Sequence, residues 1–122
     1  MRPAYIVLHM EQGATFVKNL TLTDSAGVPV DLTGKTARMQ IRDDYTGALI
    51  LELTTANGRI AALDNTGVVS LRIPAETLAD LSVDIDYTTF KYDLELVSVS
   101  GLEEIVERPV RGTIVLWKEI TV

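Results

Sequence analysis

The sequence predicts an all-β fold, an immunoglobulin-like antiparallel β-sandwich, on three observations. Apolar residues recur at every second position in several runs, most regularly in YTTFKYDLELVSV from Tyr87 to Val99. The runs are short and separated by turn signals built on Gly, Asn and Asp. Helical spacing is confined to PAETLADL from Pro74 to Leu81, which leaves no crossover helices for a parallel α/β sheet.

Within the Tyr87–Val99 run, Phe90, Tyr92, Leu94 and Leu96 share one parity, and Lys91, Asp93 and Glu95 share the other. Side chains alternate across a strand, so the first row is the expected core face and the second the wet face. From the N-terminus, YIVLHM (Tyr5 to Met10) is β-favouring on both parities and breaks at Gln12 and Gly13. ATFVKNLTLT follows, with Phe16, Leu20 and Leu22 expected inward. Asp24 and Gly27 bracket a hairpin-type turn, because Asp bonds back to the backbone and Gly accepts positive φ. Val28 to Leu32 reads as a return strand, with a second corner from Asp31 to Gly34. TARMQIR points Ala37, Met39 and Ile41 inward, and Leu49, Leu51 and Leu53 continue that row beyond the polar turn at Asp43 to Gly47.

Asn57 and Gly58 form a tight-turn pair leading into a strand from Arg59 to Leu63. A further turn runs from Asp64 to Gly67, and Val69, Leu71 and Ile73 are expected inward before Pro74 stops the strand. Pro74 to Leu81 predicts one or two helical turns with Leu78 and Leu81 packed down. Glu103 to Arg108 and Val110 to Trp117 predict a last hairpin or one strand bulged at Pro109, which has no N–H to give a ladder.

The 122 residues suit a single domain, 1–122, with at most one short helix. Zero Cys excludes disulfides, thiol catalysis and Cys-ligated zinc, and a net charge of −6 argues against nonspecific nucleic-acid binding. The apolar run at Tyr5 to Met10 is too short to span a membrane and lacks a signal-peptide cleavage pattern. No nucleic acid and no membrane are expected as partners.

Chemistry is sparse. Gly34, Lys35 and Thr36 end like a phosphate-binding P-loop, but Pro29 stands where that loop needs a bare glycine amide, and Thr36 opens a strand rather than a helix. His9 is the sole histidine, with Leu8 and Met10 beside it rather than a serine and a carboxylate. Asp80, Asp84 and Asp86 share a loop, but their spacing matches no calcium loop and the turn glycine is missing. Asp93 and Glu95 share a strand face, the default of an exposed sheet as much as an acid–base pair. Asn19 and Thr21 form a glycosylation sequon without a secretory signal. No enzymatic activity, cofactor or metal site is expected.

The turns and strands occur in a recognisable order: QGATF from Gln12, LTD from Leu22, GVPVDLTG from Gly27 and TARMQIR from Thr36. Asn57–Gly58, Gly67, Ile73–Pro74, YDLEL from Tyr92, Arg108 and Gly112–Thr113 complete it. From Gln12 to Thr121 the chain resembles the small β-sandwich proteins of tailed bacteriophages, similar to the N-terminal domain of baseplate upper proteins. The resemblance implies a structural component of a virion tail, baseplate or fibre attachment, made in the host cytoplasm and docked on other phage virion proteins. A capsid or neck decoration protein, or a small carbohydrate-binding module using Trp117, Tyr5, Tyr45 or Tyr87, would carry the same fold.

The two terminal strands are the expected assembly surface. Tyr5, Val7 and His9 alternate with Ile6, Leu8 and Met10, and Val115 and Trp117 alternate with Ile114 and Leu116. A sandwich strand has one buried and one wet face, so the second apolar row has no layer to cover it. Tyr5, Val7, His9, Val115 and Trp117 are therefore expected to contact other proteins, and a homo-oligomer is expected.

Overall fold

A computed structural model describes residues 4–84 and 86–120. The ends of the expected 1–122 domain, and Thr121 where the family resemblance stops, lie outside the described residues. The elements are β1 (Ala4–Tyr5), β2 (Leu8–Glu11), β3 (Phe16–Thr21), β4 (Thr36–Asp43), β5 (Leu49–Thr54), β6 (Val68–Ile73), α1 (Ala75–Ala79), β7 (Tyr87–Ser100) and β8 (Glu103–Trp117).

One sheet runs β1-β8-β7-β4-β5, with β2 continuing β1 along β8, and β3 pairs with β6 in the facing layer. The segment around Ile60 lies along β6 through an isolated bridge: Ile60 bridges Leu71, Ala61 N–H donates to Ser70 O, and Arg72 N–H donates to Arg59 O. With β4, β5, β7 and β8 as C, C′, F and G, and β3 and β6 as B and E, the strand order is that of an immunoglobulin variable-type sandwich. The helix α1 has five residues, and among the described residues no helix is long and apolar enough to cross a membrane.

The core lies between the layers. Phe90, Tyr92, Leu94 and Leu96 are buried as their parity predicts, beside Met39 and Ile41 in the same sheet and with Val69, Leu71 and Ile73 buried in the facing layer. Leu32, Ile60 and Leu78 plug the core from loops and from α1. Leu8 and Met10 from β2, and Ile114 and Leu116 from β8, close its far side.

Several expectations are corrected. The sheet is mixed rather than antiparallel, because β1 and β2 pair with β8 in parallel. The break at Gln12 and Gly13 lies where the chain crosses from β2 into β3 of the other layer. Leu49 does not continue the inward row. A bulge leaves Ile50 without a partner between the pairs Ile41–Leu51 and Arg42–Leu49, and this shifts Leu49 to half exposure. Val28 to Leu32 forms a single bridge, Thr23 to Pro29, instead of a strand. Pro29 has no N–H to donate, and the Asp31 carboxylate accepts from Thr33 N–H, turning the chain. Arg59 to Leu63 is likewise reduced to the bridge at Ile60.

β8 is one long strand with its register shift at Pro109: Leu94 pairs with Val110 and Leu96 with Glu107. The ladder thus gains one residue on β8, and the parity change keeps Val110, Ile114 and Leu116 in the core. Beyond Val97, where β4 ends, the β7–β8 hairpin continues alone to a turn at Gly101 with Leu102 fully exposed.

Candidate functional site

The outer face of the larger sheet gathers the sequence-predicted contact residues. On β8, Arg111, Thr113, Val115 and Trp117 alternate with the buried Gly112, Ile114 and Leu116. In parallel register Tyr5 lies beside Arg111, His9 beside Val115 and Glu11 beside Trp117. On the other flank β7 sets Asp93 against Arg111, Lys91 against Thr113, Thr89 against Val115 and Tyr87 against Trp117. Tyr5, Val7, His9, Val115 and Trp117 therefore share one surface, with Tyr5 at 66%, Val7 at 46% and Trp117 at 41% exposure.

Trp117 is the hub of its lower end. Its ring centroid lies 5.3 Å from that of Tyr87, tilted by 50°, and 6.3 Å from the near-parallel His9 ring. The indole Nε1–H donates to His9 Nδ1 at 3.2 Å, so the histidine faces a tryptophan rather than a serine or carboxylate. Glu11, Asp86, Lys118 and Glu119 rim a shallow depression of about 440 Å³ beside the Trp117 and Tyr87 rings.

The upper end is charged. A depression of about 450 Å³ is lined by Tyr5, Gln40, Arg42, Lys91, Arg108 and Arg111, with Asp44, Asp93 and Glu95 among them. Glu95 is not the wet-face carboxylate that its parity predicts. Its side chain is only 14% exposed, held by Arg38 Nε at 2.5 Å and Arg108 Nη2 at 2.6 Å. The Arg38 hydrogen bond, followed by the charge of Arg108, holds its carboxyl below the usual glutamate range. Asp93 lies 3.7 Å from Arg108 Nε. Glu95, ion-paired and lowered, lacks the raised pKa of a general acid.

The two strands of this edge are locked through Gly112 and Tyr92. Gly112 is needed for space: a Cβ there would sit 2.0 Å from the Ile6 carbonyl oxygen. Opposite it on β7, Tyr92 reaches across and its OH donates to that same oxygen at 2.8 Å. Burial pushes the Tyr92 phenol up to about 12, so it remains a donor through the neutral range.

The remaining candidates resolve as turns. Gly34 adopts φ 79°, Lys35 pairs with Glu107 at 3.2 Å, and Thr36 opens β4, as a turn requires and a P-loop does not. Asp80 caps α1 and the amide of Asp84 donates to Thr88 Oγ1. Among the described residues no group of three or more His, Asp or Glu is arranged to hold a metal ion. Tyr87 is the site residue that alternation leaves unassigned, since its pairing with Trp117 depends on the strand register. Its signal was its place at the head of the Tyr87–Val99 run. No protein-family model and no curated protein matches the chain.

Proposed function

We propose that this protein is a non-enzymatic structural component of a tailed-phage virion, docking in the tail, baseplate or fibre-attachment region through the outer face of its larger sheet. The observation that carries this reading is the grouping of Tyr5, Val7, His9, Val115, Trp117 and Tyr87 on one uncovered face. Large amphipathic rings are favoured contact anchors, and a contiguous uncovered apolar surface marks a protein contact. The ordered resemblance to the phage β-sandwich proteins supplies the setting. Mass spectrometry of purified particles tests it: the chain is expected as a stoichiometric component of tails, and its absence from particles overturns the reading. A presence confined to the head would favour the decoration-protein role instead.

A second reading, a carbohydrate-binding module, is favoured by the half-exposed Trp117 and Tyr87 rings beside Glu11 and Asp86. Binding to a glycan array that is abolished by Trp117→Ala would select it over the docking role.

A further inference from the structure

We propose that the partner of this face is a second copy of the same chain, packed face to face with its strands reversed. The inference rests on the reading of the face as a docking surface and adds the identity of its occupant. Its basis is that the two ends of the face are complementary in charge and in shape. At one end the rings of Trp117 and Tyr87 stand half exposed among Glu11, Asp86 and Glu119, with Lys118 as the one cation among the described residues that line it. At the other end lies the depression around Arg111, whose lining holds four cationic side chains (Arg42, Lys91, Arg108 and Arg111) against three carboxylates. In a chain of net charge −6, that end stands out as a local excess of positive charge.

The spacing suits a two-fold axis. Arg111 and Trp117 lie on the same strand face, three residues to either side of Ile114. An axis across the strands at the level of Ile114 brings Trp117 of each copy over Arg111 of the other, about 20 Å from the second such pair. The indole then seats in the depression as a cation–π partner of the guanidinium. Glu11, beside Trp117, comes within one strand spacing of the same Arg111. Tyr87 meets Asp93 of the second copy, whose carboxylate accepts from the phenol. Val115 and Thr113 face each other at the centre, and Val7 faces His9. An axis along β8 would instead set Arg111 directly against Arg111 of the other copy, a like-charge contact that disfavours it. Two sheets stacked about 10 Å apart, with strand directions within about 30°, are an ordinary packing.

Sedimentation equilibrium of the full chain over a concentration series tests this, with circular dichroism to verify folding. The wild type is expected to dimerise. Glu11→Lys and Arg111→Glu are each expected to raise the dissociation constant on the order of 100-fold. The double variant E11K/R111E restores the complementary charges within each interface and is expected to recover most of the affinity, which a merely structural role for either residue would not produce. Trp117→Ala is expected to weaken the dimer while leaving the fold intact. A dimer insensitive to all three single substitutions would overturn both the pairing and the docking reading of this face. A wild type that stays monomeric, yet needs Trp117 to co-sediment with purified tail proteins, would overturn self-pairing and leave the docking reading standing.

Discussion

Gly112→Ala is the substitution whose effect follows most directly from the geometry. The added methyl would lie 2.0 Å from Ile6 O, 2.9 Å from Ile6 C and 3.1 Å from Ile6 N, all backbone atoms that no rotamer change can move aside. The chain between β1 and β2 must lift away from β8. Overpacking of this kind costs about 1–3 kcal/mol. Lifting Ile6 also breaks the bond from Tyr92 OH, and leaving that buried hydroxyl unpaired costs about 1–3 kcal/mol more. The expected total of about 2–6 kcal/mol is a large fraction of a domain stability of about 5–15 kcal/mol. Gly112 is not in the positive-φ region, so this loss is steric and not conformational. Urea unfolding measures it, read from the midpoint at constant slope. Tyr92→Phe removes the hydrogen bond without the clash and is expected to cost about 1 kcal/mol. The double variant is expected to lose less than the sum, because both changes act on the same carbonyl. A Gly112→Ala protein within about 0.5 kcal/mol of wild type would refute the proposed lock between Gly112, Ile6 and Tyr92.

Other substitutions probe the rest of the fold. Phe90→Ala or Leu94→Ala, both in the core, is expected to cost about 2–5 kcal/mol in the same assay, against at most about 0.5 kcal/mol for the exposed Lys91→Ala. Leu102→Ser at the fully exposed hairpin tip is expected to stay within about 0.5 kcal/mol of wild type. Glu95→Gln tests the arginine clamp through pH. Because the folded-state pKa is depressed, its stabilisation is complete above the unfolded glutamate value of about 4.3 and is lost as pH falls through the lower folded value. The wild-type advantage over Glu95→Gln is therefore expected to be constant from neutral pH down to about 5 and to shrink below about 4. An advantage that persists unchanged in acid would refute the clamp.

Alternation and turn chemistry made the layers legible. The parity of Phe90, Tyr92, Leu94 and Leu96, and the turns at Gly27, Gly34, Gly58 and Gly67, are where the sequence points, with each of those glycines at positive φ. What alternation cannot carry is any event that breaks its count. The bulge at Ile50 reverses the parity of Leu49 with no Gly or Pro to announce it, whereas the bulge on β8 was signalled by Pro109. Strand direction is equally hidden, since parallel and antiparallel strands share a period of two, and β2 reads the same either way. The Glu95 clamp joins β7 to arginines on β4 and β8, and its burial comes from those neighbours rather than from its own strand. For the candidate site, Tyr5, Val7, His9, Val115 and Trp117 were identifiable because apolar residues occupied both parities of the terminal strands. The joining of Tyr87 to Trp117, and of both to an acidic rim, required the register.

The central claim is that the outer face of β1, β2, β8 and β7 is covered in the assembled particle. A cryo-EM density map of intact particles, at a resolution that traces side chains, tests it directly. Protein density is expected packed over Tyr5, Val7, His9, Val115 and Trp117, with the Trp117 ring enclosed. A chain attached to the particle through another surface, with that face open to solvent, would contradict it.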